Sequence, residues 1–175
     1  MPVFEFSIIA TGLDPADEAF EARFFEHGAD DATISFQRGV IILDFAREAA
    51  SMELALCSAL DAVTDAGARI LRIEPDPLVT LSDIAERSGL TRAAVSLFAS
   101  GQRGSGFPLP VARVTSESPL WLWVDVAQWL VTTGRVPDII SANAVAIDHA
   151  TRRIEAGGLH AMSESKDNKN MELQL

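Results

Sequence analysis

The stretch "LSDIAERSGLTRAAVSLFAS", residues 81–100, decides how this chain folds. It divides at Ser88-Gly89-Leu90 into two short helical patterns. Thr80, just ahead of it, is placed to cap the first helix, and Asp83 three positions later can reach back and close the cap from the other side. Leu81, Ile84 and Ala85 form the inner face of the first helix, and Leu90, Val95 and Phe98 that of the second. A tight turn between them needs a residue free to take positive φ, which Gly89 supplies, and Ala85 is small where two helices cross closely. This spacing predicts a helix-turn-helix whose second helix, about 91–101, presents its outer face to a partner.

The chain continues as "GQRGSGFPLPVARVTSESPLWLWVDVAQWL", residues 101–130. Pro108 and Pro110 hold the backbone extended, so the chain leaves the second helix in one direction and must return. "VARVTSESPLWLWV" alternates at both ends around the polar tip "TSES", which predicts a hairpin. Trp123, Val126 and Trp129 would seal a core beneath it, a packing role that outweighs base stacking.

With Leu81 counted as the first of twenty positions, Ala85 is the small residue at five and Gly89 the glycine at nine. Ile84, Leu90, Val95 and Phe98 are the apolar residues at four, ten, fifteen and eighteen; Ser88, at the eighth, departs from the usual apolar residue. Together with Phe107, Pro108, Pro110, Trp121 or Trp123, Val126 and Trp129, this makes residues 80–133 resemble the AlpA/excisionase-like group of small DNA-binding proteins, relatives of the MerR-type winged helix. The resemblance implies a winged helix-turn-helix DNA-binding domain over residues 79–135 and double-stranded DNA as its partner.

On that reading the Thr91 hydroxyl and the neighbouring N–H groups meet a phosphate. Arg92 reaches guanine O6/N7, or a phosphate if it points sideways. Ala93, Ser96 and Leu97 offer small or apolar surface suited to thymine methyl groups. Gln102 and Arg103 hold backbone or minor groove, and Arg113 lies on the wing. So small a basic set predicts modest affinity for one copy, hence a homodimer on a repeated or palindromic site.

The formal charge of −11 is unevenly placed. Residues 1–79 carry five basic and fifteen acidic side chains, residues 80–135 five and four, and residues 136–175 four and six. Acidic segments repel phosphate, so a nucleic-acid contact is confined to the middle.

Residues 1–76 read as an acidic domain of another kind. "VFEFSIIA" alternates like a half-buried strand, and "DPADEAFEARFFEHG" reads as a helix opening at Asp14-Pro15 with Ala16, Phe20 and Phe24 on its inner stripe. "DATISFQRGVIILDF" predicts a hairpin at Gln37-Arg38-Gly39, "EAASMELALCSALDAVTDAG" a helix, and "ARILRIEP" a strand halted by Pro75. The order β-α-β-β-α-β predicts an α+β chain with a ferredoxin-like amino-terminal domain, open to dimerisation, a protein partner or a ligand. Val3, Ile9, Ile41 and Phe45 are candidates for the sheet face away from the helices. Residues 136–158 predict a carboxy-terminal helix striped by Ile140, Ala144, Ile147, Thr151 and Ile154 and ended by Gly157-Gly158. Residues 159–175 read as a disordered tail.

Nothing in the sequence predicts catalysis, a cofactor or a metal. His27, His149 and His160 fall in no hydrolase or paired-ligand motif, and His27 near Asp30 and Asp31 reads as a helix-end charge partner. A single cysteine, Cys57, and the absence of any ~20-residue apolar run predict a cytoplasmic protein that no membrane holds. The expected function is a sequence-specific DNA-binding transcriptional regulator. The alternatives are an excisionase-like architectural factor and an antitoxin-like interaction module whose helix-turn-helix is vestigial.

Overall fold

The computed structural model describes residues 1–172, with side chains through residue 157. The fold is mixed α+β, with one four-stranded antiparallel sheet and six helices among the described residues. The chain divides into two compact units, Met1–Glu74 with His149 onward, and Pro75–Asp148.

In the first unit, β1 (Val3–Thr11), β2 (Ala32–Gln37), β3 (Val40–Glu48) and β4 (Arg69–Glu74) form a sheet in the order β2-β3-β1-β4. Alternation decides which face is buried. Phe4, Phe6 and Ile8 of β1, Ile41, Leu43 and Phe45 of β3, and Ile73 of β4 are all buried. Phe6 pairs with Phe45 across the strands, their rings stacked at 5.3 Å. Helix α1 (Phe20–Glu26) adds Phe20 and Phe24 to this core, and α2 (Met52–Asp65) adds Met52, Leu56, Leu60 and Val63. Each such side chain contributes about 1.5–3 kcal/mol when fully buried. Ile41 and Phe45 thus belong to the main core rather than the second face. Val3 and Ile9 do occupy that face, with Val3 52% exposed and Ile9 only 2%.

Two boundaries differ from the sequence reading. Helix α1 begins at Phe20, not at Pro15, because the Asp14 and Asp17 carboxylates accept from the N–H groups of Ala16 and Ala19, both at 2.9 Å. These local turns compete with the helix, and Ala16 is left exposed. Likewise, β3 runs to Glu48, and α2 starts only after Ser51, whose hydroxyl accepts from Leu54 N–H. The β2–β3 loop is two residues, Arg38 and Gly39, both at positive φ, which is the type I′ geometry that matches strand twist.

Arg47 is the buried charge of this unit. Its guanidinium grips the Asp31 carboxylate through two bonds, at 2.8 and 2.6 Å, donates to Ser58 Oγ at 3.0 Å and to the Gly28 carbonyl, and lies 4.9 Å from the Phe45 ring centroid. One side chain so ties together the end of α1, the entry to β2, and α2. Cys57, half-buried on α2, accepts from Arg153 Nη1 at 3.7 Å.

The second unit contains β5 (Leu78–Val79), α3 (Leu81–Ser88), α4 (Arg92–Ala99), β6 (Trp121–Leu122), α5 (Trp123–Thr132) and the opening of α6 (Asp138–Glu172). Its core is Val79, Ile84, Val95, Trp121, Trp123, Val126, Ala127, Leu130 and Ala144.

The expected hairpin over residues 111–124 is reduced to one bridge, Ala112 with Leu120. Beyond it Arg113 turns to φ +51°, and its carbonyl accepts from both the N–H and the hydroxyl of Ser116, so the serine-rich tip captures the backbone that a longer ladder would use. Trp121 and Leu122 pair instead with Val79 and Leu78, the strand ahead of α3.

Helix α6 passes through the glycine pair expected to end it, and Gly157 keeps a negative φ. A helical glycine costs about 1 kcal/mol relative to alanine, a penalty rather than a stop. The tail expected from residue 159 has side chains outside the described residues, and residues 173–175 lie outside them entirely.

Candidate nucleic-acid interface

Helix α3 is fixed at both ends, and α4 at its start, by their own sequence. Thr80 and Asp83 form a reciprocal capping box: Thr80 Oγ1 accepts from Asp83 N–H at 3.2 Å, and Asp83 Oδ2 accepts from Thr80 N–H at 2.8 Å and from its hydroxyl at 2.7 Å. These bonds hold the Asp83 carboxyl below its usual pKa, with a smaller contribution from the charge of Arg87. Gly89 ends α3 in the left-handed conformation at φ 71°, and Thr91 caps α4 by accepting from Ala94 N–H at 3.1 Å. Ser88, the one departure from the twenty-residue pattern, donates its hydroxyl to the Ile84 carbonyl at 2.6 Å and accepts from Leu90 N–H at 3.3 Å. The turn thereby gains a polar clasp where an apolar contact was expected.

Ile84, Val95 and Phe98 turn inward and are buried. Thr91, Arg92, Ala93 and Leu97 are exposed, and Ser96 is half-buried. These five expected contact residues therefore share one helix, four of them on open surface. Arg92 does not extend freely, since its Nε donates to Ser82 Oγ on α3 at 2.9 Å.

The loop after α4 is anchored through its backbone. Arg103 N–H donates to the Leu97 carbonyl at 3.1 Å, and Gly101, Gly104 and Gly106 all take positive φ. Trp129 Nε1 donates to the Ser105 carbonyl at 3.0 Å, fastening the loop to α5. Gln102 and Arg103 are exposed, with the Arg103 guanidinium 6.0 Å from the Phe98 ring centroid. Arg113 is exposed on the tip beyond the Ala112–Leu120 bridge.

The tryptophans are packing residues. Trp121 and Trp123 are buried, and Trp121 Nε1 donates to the Pro108 carbonyl at 3.1 Å, which explains the extended Phe-Pro-Leu-Pro segment. Phe107 sits among Phe98, Trp121 and Trp129 with ring centroids 5.0–6.4 Å apart.

Two of the five arginines in residues 80–135 serve this packing. Arg87 lies 5.6 Å over Trp123 and donates to the Asp76 carbonyl at 2.9 Å, and burial lowers its pKa. Arg135 lies over Phe98 and Trp129. Arg92, Arg103 and Arg113 are the exposed ones.

Ser82 and Arg135 were not legible as site residues from spacing alone. Ser82 occupies the open side of α3, and only the fold brings it to Arg92, ten positions away.

In the first unit His27 Nδ1–H donates to the Arg23 carbonyl at 2.6 Å, and Asp31 is engaged by Arg47. Among the described residues no group of three or more His, Cys, Asp and Glu is arranged to hold a metal ion, and no helix is long and apolar enough to cross a membrane. No family model, curated protein or solved structure matches this chain.

Proposed function

We propose that this chain is a sequence-specific double-stranded DNA-binding protein acting in transcription, with α3 and α4 as its helix-turn-helix and the residue 113–119 tip as a short wing. The observation that carries this reading is the outer face of α4, where Thr91, Arg92, Ala93 and Leu97 stand exposed on a helix whose other side is packed. An α-helix of this width fits the major groove, and the Thr91 cap fixes where it starts. The order β2-β3-β1-β4 supports reading the first unit as ferredoxin-like, a second module suited to dimerisation or partner binding. With three exposed arginines on the middle segment, two copies on one site supply the affinity that one lacks.

Selection of duplexes from a random pool by the purified protein tests the reading. Recovery of a repeated or palindromic motif supports it, and a pool that stays random through successive rounds contradicts it. A protein-interaction role is the second reading, favoured by the exposed apolar residues Leu109 (81%), Val111 (51%) and Val114 (62%) in the segment that follows α4.

A further inference from the structure

We infer that Ser82 holds Arg92 as a phosphate contact, so that base choice passes to the uncharged surface of Ala93, Ser96 and Leu97 and favours thymine. The inference rests on the DNA-binding reading above and assigns roles within it. Arg92 Nε donates to Ser82 Oγ at 2.9 Å, joining the first turn of α4 to the first turn of α3.

A guanidinium reads guanine by presenting two parallel N–H groups to O6 and N7. The bond to Ser82 occupies Nε and so removes the side-on pair; it leaves the end-on Nη1/Nη2 pair and tethers the guanidinium to the first turn of α3. Both residues are exposed. The two Nη nitrogens of Arg92 and the hydroxyl hydrogen of Ser82 have no protein partner among the described residues. Together they can converge on one phosphate oxygen, where charged donors make short, strong bonds without reading sequence.

Ala93 and Leu97, four apart, lie on one exposed strip of α4, with Ser96 half-buried beside them. That strip carries methyl groups and one hydroxyl and no charge. Its complement in the major groove is the thymine C5 methyl, not the acceptor pair of guanine.

The test uses all 175 residues of the chain and the duplex recovered by selection, with affinity measured across salt concentrations and across single base-pair variants of the site. Arg92→Ala should lower affinity by the same factor on every variant and reduce the salt slope by about 1. Arg92→Lys should keep the slope. Ser82→Ala should release the guanidinium and raise the relative affinity for a guanine at one position. Loss of preference at a single base pair in Arg92→Ala, with the salt slope unchanged, overturns the assignment and leaves the DNA reading intact. Absence of duplex binding by the unsubstituted protein overturns both.

Discussion

The guanidinium of Arg135, in the turn between α5 and α6, lies 4.3 Å from the ring centroid of Phe98 on α4. It also lies 5.1 Å from the Trp129 centroid, while its Nε is buried without a hydrogen-bond partner. The cation and its stem clamp the inner side of α4 against α5. Arg135→Ala should cost about 1–2 kcal/mol through lost cation–π attraction and packing, and Arg135→Lys less. The three tryptophans, 121, 123 and 129, all lie in the second unit, so urea unfolding followed by tryptophan fluorescence reads its stability separately.

The Thr80–Asp83 box gives α3 a pH dependence of definite sign. The folded Asp83 carboxyl titrates below its ordinary value, chiefly because of its bonds from Thr80. Its contribution is therefore fully present above about pH 4, the ordinary aspartate range, and is lost as pH falls through the lower folded value. Asp83→Ala and Thr80→Ala should each cost about 1 kcal/mol at neutral pH. The Asp83→Ala penalty should shrink in acid, measured by the same fluorescence.

Arg38 holds φ +52° in the two-residue β2–β3 loop, a conformation unfavourable by about 1–2 kcal/mol for a residue with a side chain. Arg38→Asn, which tolerates this region and favours the type I′ turn, should stabilise the first unit by about 0.5–1 kcal/mol. Amide exchange protection of β2 and β3 gives the readout, since no tryptophan lies there.

Removal of the Arg47 guanidinium should be the more damaging change in that unit. Arg47→Met leaves Asp31 and the Gly28 carbonyl without their partner, at a cost of about 2–3 kcal/mol. Asp31 retains some access to water, which keeps the figure below that of a fully buried pair. Circular dichroism during urea unfolding should show the first unit melting earlier.

The elements most legible in the sequence were those written in local chemistry. The alternation of β1, the Thr80 and Thr91 caps, the left-handed Gly89 and the loop at Arg38-Gly39 each depend on neighbours within a few residues. Features decided by competition were harder to read. Asp14 and Asp17 captured N–H groups that a helix starting at Pro15 would have left open, and Ser116 captured the Arg113 carbonyl that a longer hairpin would have used. The outer face of α4 followed from periodicity, which assigns inside and outside. The turn of Arg92 toward Ser82 did not, because it depends on how two helices cross. Arg47 was similarly hidden: its partners come from Gly28, Asp31 and Ser58, separate segments that only the folded sheet brings together.

The central claim, that the open side of α4 enters a duplex groove, is tested most directly by Ala93→Glu. Ala93 is exposed in the first turn of α4, where a negative charge favours the helix dipole, so the substitution should leave unfolding unchanged or slightly later. Fluorescence anisotropy against the selected duplex should then show at least about a tenfold loss of affinity, because the new carboxylate meets the polyanion. Unaltered binding by a folded Ala93→Glu protein would contradict the account.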